Sequence, residues 1–170
     1  MDLRLVANLL HLAAMLRRAT TDDLERLTTL ARREDVARTL ATDAVEQLSE
    51  ALADATGELL VIEVGGEVVG AVRWVLINRR SRIADIRSLM LEPAARGRGI
   101  ATEAIRELID HLFSERWLHR LEAEVYGFNA SGQRVFEHAG FVREGVRRRA
   151  YDREDGWQDG VRYGLLSDER

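Results

Sequence analysis

The sequence predicts an α/β fold in which a mixed, mostly antiparallel sheet is flanked by helices within one domain over residues 15–170. Three observations carry this expectation. First, the β-rich runs Leu59 to Val64, Val68 to Ile77 and Ile83 to Leu91 follow one another, and Gly65-Gly66 between the first two suits a tight hairpin. Second, a glycine turn and an amphipathic helix separate the third run from the strand Leu121 to Tyr126, which makes a βαβ unit. Third, 170 residues that are 46% apolar and 32% charged suffice for one buried core and exclude long disorder.

The elements follow in order. Met1 to Ala14 is mostly apolar, but Asn8 and His11 interrupt it before Arg17-Arg18, and it falls short of the about 20 apolar residues that a membrane span needs. It is expected to be an N-terminal extension forming a short packing helix, with Met15 as a rival natural start. Met15 to Thr20 suits a short strand, and Thr20 with Asp23 resembles an N-cap opening a helix that carries Leu24, Leu27 and Leu30. Leu40, Ala44, Val45, Leu48, Ala51, Leu52 and Ala55 predict a second helix, closed by Gly57. After the hairpin and the loop Asn78 to Arg82, the third strand runs to Pro93, the only proline. Ala101, Ala104, Ile105, Leu108, Ile109 and Leu112 then repeat at helical spacing. In Leu121 to Tyr126, Leu121, Ala123 and Val125 point one way and Glu122, Glu124 and Tyr126 the other. A short helix from about Ala130 to His138 stops at Gly140, and Phe141 to Tyr151 with Trp157 to Leu166 predicts a closing hairpin around Glu154-Asp155-Gly156.

Composition narrows the chemistry. The chain has no cysteine, so it offers no disulfide, no thiolate cluster and no cysteine to carry an acyl group; a transferred group should pass directly. All 25 basic residues are arginine, so no side-chain amine competes for acylation. A net charge of −4 gives no general reason to expect a polyanionic partner. Arg147, Arg148 and Arg149 are the one basic run, and on a strand their side chains should alternate between faces; nucleic-acid binding is not expected, and its signature would be steep salt dependence. None of His11, His111, His119 and His138 has metal-ligand spacing, and His119 is placed at the end of a helix, where cations are favoured; no metal is expected.

The segment Arg96-Gly97-Arg98-Gly99-Ile100-Ala101 is the most informative. A P-loop would need lysine, which the chain lacks. A dinucleotide fingerprint would need a small residue where Thr102 stands and a doubly wound sheet before it. What remains is a strand, a glycine turn and a helix N-terminus, whose unpaired amides favour an anion such as a diphosphate, with Arg96 or Arg98 adding charge. A plain glycine-rich connection with exposed arginines is the alternative.

This segment resembles the acyl-coenzyme A signature of the GNAT superfamily, Gln/Arg-x-x-Gly-x-Gly/Ala. Asn129, eleven residues before Gly140-Phe141, is similar to that family's asparagine, short helix and Gly-Phe. Gly156-Trp157-Gln158-Asp159 looks like the branch containing ribosomal-protein alanine and polyamine acetyltransferases. The resemblance implies the GNAT acyl-CoA N-acyltransferase fold, with about seven strands and about four helices. It also implies a cytoplasmic N-acetyltransferase that passes the acetyl group of acetyl-CoA directly to a primary amine in a ternary complex. The acceptor would be a peptide N-terminus, a polyamine or another small molecule, with no membrane partner; a homodimer is common among such relatives. The resemblance assigns cofactor contacts to the backbone of Leu89, Met90 and Leu91, to Arg96 through Ala101, and to Asn129, for which a helix N-cap is the alternative and the two roles can hold together.

Attack by an amine on a thioester needs a base, an oxyanion donor and a proton for the thiolate. Asp85 and Glu124, each on a central strand, are the base candidates, with Asp85 preferred; for each, a surface or structural carboxylate is the commoner role of such a residue. Many members of the family carry a tyrosine seven residues after the asparagine, where this chain has Phe136, and the serine of the alanine-specific branch is displaced to Ser131. Tyr126, Ser131 or water could substitute. The departure at Phe136 motivates an alternative function, an acyl-CoA-binding module with little or no catalysis. Tyr151, Asp155, Trp157, Asp159 and Tyr163 form an aromatic and acidic set that could receive a cationic amine, or could serve sheet packing and turns.

Overall fold

A computed structural model describes residues 15–170; the helix expected over residues 1–14 lies outside the described residues. The short strand β1 (Leu16–Arg18) leads into a 3-10 turn (Thr21–Asp23) and the helix α1 (Leu24–Ala31). The expected cap is present: the Thr20 amide donates to Asp23 Oδ2 at 2.8 Å, and Arg17 clamps the same carboxylate at 2.8 and 2.9 Å. The single-turn α2 (Glu34–Ala37) follows, and the region expected as a second helix holds α3 (Ala44–Ala53), which starts after Leu40. Gly57 does not close α3; it begins the strand β2 (Gly57–Val64). Its role is close approach, since a Cβ there would lie 2.0 Å from the Trp74 carbonyl oxygen on the neighbouring strand.

The hairpin from β2 to β3 (Glu67–Asn78) turns at Gly65 and Gly66, with φ of 61° and 82°, angles that glycine adopts without steric cost. The strand β4 (Ile83–Leu91) completes an antiparallel meander. A crossover through the helix α4 (Ile100–Ser114) brings β5 (Arg120–Tyr126) parallel to β4, as the βαβ pattern predicts. The helix α5 (Ala130–His138) and the hairpin β6 (Val142–Arg153) and β7 (Gly156–Leu166) finish a seven-stranded sheet in the order β1-β2-β3-β4-β5-β7-β6.

Each sheet face is covered by the apolar stripe of a different set of helices. Ile105, Leu108, Ile109 and Leu112 of α4 and Phe136 of α5 pack on Val72, Trp74, Ala84, Ile86, Leu121, Ala123 and Val125. On the opposite face, Leu27 and Leu30 of α1 with Leu48 of α3 pack on Leu59, Val61, Ala71 and Met90. Burial of such a side chain contributes ~1.5–3 kcal/mol. Two further local expectations fail. His119 does not cap a helix: α4 ends at Ser114 with His111 in its last turn, and the His119 amide donates to Arg82 O at 2.9 Å on the way into β5. The basic run does not simply alternate, because a register shift between Arg147 and Tyr151 and a φ of 47° at Arg149 break the pleat there. Among the described residues, no helix is long and apolar enough to cross a membrane.

Candidate active site

Two irregularities in β4 open the sheet at its centre. Parallel pairing with β5 runs from Ile83 opposite Arg120 to Ile86 opposite Ala123 and then stops, although β4 continues beside β3 to Leu91. On the β3 side the register slips between Arg73, paired with Arg87, and Ala71, paired with Met90, leaving Ser88 and Leu89 as a bulge. Ser88 has a φ of 51°, a left-handed conformation that costs a non-glycine residue roughly 1–2 kcal/mol and is maintained only where the surroundings enforce it. Beyond Ile86, β4 therefore presents one edge with no strand on it.

A cavity of about 400 Å³ lies at this opening. Ser88 and Leu89 line it from the bulge, Asp85 and Arg87 from β4, Glu124 and Tyr126 from β5, and Asn129 and Phe136 from α5 and its cap. Thr39, Leu40 and Ala41, in the segment between α2 and α3, line it too, as do Arg147 and Tyr151 of β6. The structure thus brings together Asp85, Glu124, Tyr126, Leu89 and Asn129 from the expected site. Met90 and Leu91 are core side chains, 3% and 8% exposed, so only their backbone could touch a ligand. Ser131 is exposed and outside the lining, its hydroxyl donating to Asn129 Oδ1 at 3.1 Å. Asn129 caps α5 by accepting from the Gly132 amide at 3.0 Å.

The cavity carboxylates sit in different electrostatic settings. Burial pushes the Asp85 carboxyl above the ordinary carboxylate range, only partly offset by Arg87, whose Nε donates to it at 2.6 Å. Glu124 accepts hydrogen bonds from Arg147 Nη1 at 3.2 and 3.3 Å and from the Tyr151 hydroxyl. Of the aromatic and acidic set in the last hairpin, only Tyr151 reaches the cavity. Tyr163 is buried with its hydroxyl on Glu137 at 2.8 Å, Trp157 is 62% exposed, Asp155 pairs with Arg38, and Asp159 accepts from the Arg149 amide. No motif in the sequence marks Arg147, Ser88 or the Thr39–Ala41 segment as site residues, because a bulge and a loop that arrives from another part of the chain leave no local signal.

At the far end of β4, Gly97 and Gly99 have φ of 70° and 78°, and Gly99 is the left-handed N-cap of α4. The first backbone hydrogen bond of α4 runs from Glu103 to Gly99, so the amides of Ile100, Ala101 and Thr102 precede any intrahelical acceptor. Nothing lies within 4 Å of a Cβ built at either glycine, which leaves the turn open to a ligand. Arg96 braces the turn, donating to Leu91 O at 3.1 Å and to Asp35 at 2.7 Å, while Arg98 is exposed.

The sequence profile described as Acetyltransferase (GNAT) domain matches residues 14–142. The chain belongs to the GNAT acetyltransferase family. The chain is 37% identical to the probable N-acetyltransferase YjcK of Bacillus subtilis over 92 residues, 54% of this chain and 51% of that protein. It is 30% identical to the spermidine N(1)-acetyltransferase of Escherichia coli strain K12 over 92 residues, 54% of this chain and 49% of that protein. These matches span about half the length of each relative. The GNAT fold is also that of the Vibrio cholerae spermidine N-acetyltransferase solved in complex with CoA and spermine, with a TM-score of 0.79, 23% identity, and coverage of 91% of this chain and 95% of that one.

Proposed function

We propose that this protein transfers the acetyl group of acetyl-CoA to a primary amine by direct attack within a ternary complex. The carrying observation is the opening between β4 and β5, which puts a strand edge, a bulge and two carboxylates around one cavity, with a glycine turn at a helix N-terminus following the same strand β4 along the chain. The turn fits the diphosphate of the co-substrate, since the amides of Ile100, Ala101 and Thr102 and the dipole of a 15-residue helix favour an anion, and Gly97 and Gly99 let it approach the backbone. The thioester supplies an activated acetyl group and a thiolate leaving group. The free edge of β4 from Ser88 to Leu91 supports backbone contacts to the pantetheine arm, and an amide at the bulge is the natural donor to the carbonyl oxygen.

An amine reaches the site as an ammonium and reacts only when neutral. Asp85 is assigned the first proton: its buried carboxyl favours the protonated form more than an ordinary carboxylate does, and it lines the cavity. Both cavity carboxylates have an arginine partner, Asp85 with Arg87 and Glu124 with Arg147. That balance favours an acceptor with one cationic amine, such as a peptide N-terminus or small monoamine, over an extended polyamine.

The test is thiol release from acetyl-CoA against a panel of peptides, amino acids, monoamines and polyamines. Turnover with monoamines, lowered about 10²-fold or more in kcat by Asp85→Asn with acetyl-CoA affinity unchanged, is the expected result. Saturable acetyl-CoA binding without thiol release from any acceptor would favour the binding-module alternative, which Phe136 supports.

A further inference from the structure

We infer that Tyr151 is the proton donor to the departing thiolate and that it works with Glu124 as a single proton-transfer unit. This rests on the acetyl-transfer function proposed above and supplies the acid that position 136 lacks. Phe136 cannot donate; it is 4% exposed, with its ring edge-on to Phe141 at 5.2 Å and stacked on Tyr163 at 6.3 Å. Ser131 lies outside the cavity. The Thr39 hydroxyl is committed to Val36 O at 2.8 Å, and the Tyr126 hydroxyl faces Arg153 Nη1 at 3.3 Å, on the side of the α2–α3 segment. Ser88 carries an alkanol proton, harder to remove than a phenol's. Tyr151 remains: its hydroxyl donates to Glu124 Oε1, and Arg147 Nη1 lies 3.2 Å from the phenol oxygen.

The sheet is built around this pair. A Cβ at Gly160 of β7 would lie 2.3 Å from Glu124 Oε1 and 2.9 Å from Tyr151 Cε2, so glycine there is what admits both side chains. The Tyr126 ring meets Tyr151 edge-on, 5.1 Å between centroids at 87°, and fixes its orientation. Glu124 comes from β5 and Tyr151 from the outermost strand β6, two strands away across β7.

The proton balance closes. After Asp85 has taken the ammonium proton, the amine lone pair forms the C–N bond and its nitrogen becomes positively charged. Glu124 takes one proton from that nitrogen. As the C–S bond breaks and its electron pair goes to sulfur, Tyr151 gives its hydroxyl proton to the thiolate and receives the proton held by Glu124. Amide and free thiol leave, Tyr151 and Glu124 return to their starting states with no tyrosinate accumulating, and Asp85 passes the ammonium proton to solvent, which is the one net proton that the reaction releases. The groups facing the phenol are Glu124 and Tyr126 from β5 and Arg147 from β6; burial first, then Glu124, push its pKa up to about 12, so the proton is in place throughout the working pH range.

The experiment combines Tyr151→Phe, Glu124→Gln and the double variant. Each single variant is expected to lose about 10²-fold in kcat with unchanged acetyl-CoA affinity by calorimetry, and the double variant to be no worse than the weaker single, because the two residues carry one proton. A readout independent of turnover is the ultraviolet titration of Tyr151, assigned by difference from Tyr151→Phe, whose pKa should fall from about 12 toward 10.0 in Glu124→Gln. Multiplicative losses, or full kcat in a folded Tyr151→Phe protein, would overturn the inference while leaving acetyl transfer intact. Failure of the unaltered protein to release thiol with any amine would instead remove the function on which it rests.

Discussion

Gly160 and Asp85 show how single positions are set by what surrounds them. A methyl group at Gly160 must displace the Glu124 carboxylate or the Tyr151 ring, because the ideal Cβ lies 2.3 Å from one and 2.9 Å from the other. Gly160→Ala is expected to cost about 1–3 kcal/mol in urea unfolding through overpacking, and to lower kcat by ~10-fold or more by shifting both side chains. Asp85 is the opposite case, a group whose ionised form the fold disfavours. Its folded pKa lies above the ordinary value because burial outweighs the pairing with Arg87. Its contribution to stability is therefore present in full below the unfolded pKa and is lost as pH rises through the folded value. Asp85→Asn should raise Tm at neutral pH, narrow the difference in Tm between acid and neutral conditions, and still abolish most turnover. An unchanged Tm difference between the two pH values would contradict the assigned burial effect.

Two short elements depend on a few polar contacts. At the start of α1, Asp23 accepts from the Thr20 amide and from Arg17, which holds its pKa down at about 2 against an ordinary 3.8. A depressed carboxylate stabilises the fold above the unfolded pKa and loses that contribution as pH falls through about 2. With Arg17 partly exposed and screened, the contact is worth about 1–2 kcal/mol, and Asp23→Asn should lower Tm at neutral pH while losing less of it on acidification. The turn before α4 depends on backbone conformation instead. Gly97 and Gly99 both have positive φ with no neighbouring atoms, so replacing both by valine is strained by roughly 1–2 kcal/mol each and crowds the amides of Ile100 to Thr102. Calorimetry should then show at least a ~10-fold loss of acetyl-CoA affinity, with a far-ultraviolet spectrum that still reports a folded chain.

At the scale of the whole molecule, Arg153 joins parts of the chain more than a hundred residues apart. Its guanidinium donates to Ala37 O and Leu40 O at 3.2 Å and to Arg38 O at 3.3 Å, and lies 5.1 Å from the centre of the Tyr126 ring. It ties the segment after α2, which walls the cavity, to the last hairpin. Arg153→Ala should cost about 1–3 kcal/mol and speed amide hydrogen exchange in residues 37–41, with a larger effect on the KM for the acceptor than on that for acetyl-CoA. Much of this molecule was legible in the sequence, because hydrophobic period and glycine turns act locally: the β2–β3 hairpin, β4, α4 and α5 fall where Gly65-Gly66, Pro93 and the apolar spacing put them. The turn Arg96 to Ala101 and the cap Asn129 were readable for the same reason. Gly57 was misread because its constraint is the carbonyl of Trp74 on another strand, and Tyr151 was only one of five residues in an undifferentiated set, because its partner Glu124 is 27 residues away across β7. The sequence by itself determined the order of the elements and the glycine turn that opens α4, which depend on neighbours along the chain. Only the tertiary structure decided where β4 parts from β5 and which carboxylate meets which hydroxyl, since strand pairing and desolvation arise between segments that meet only when the sheet closes.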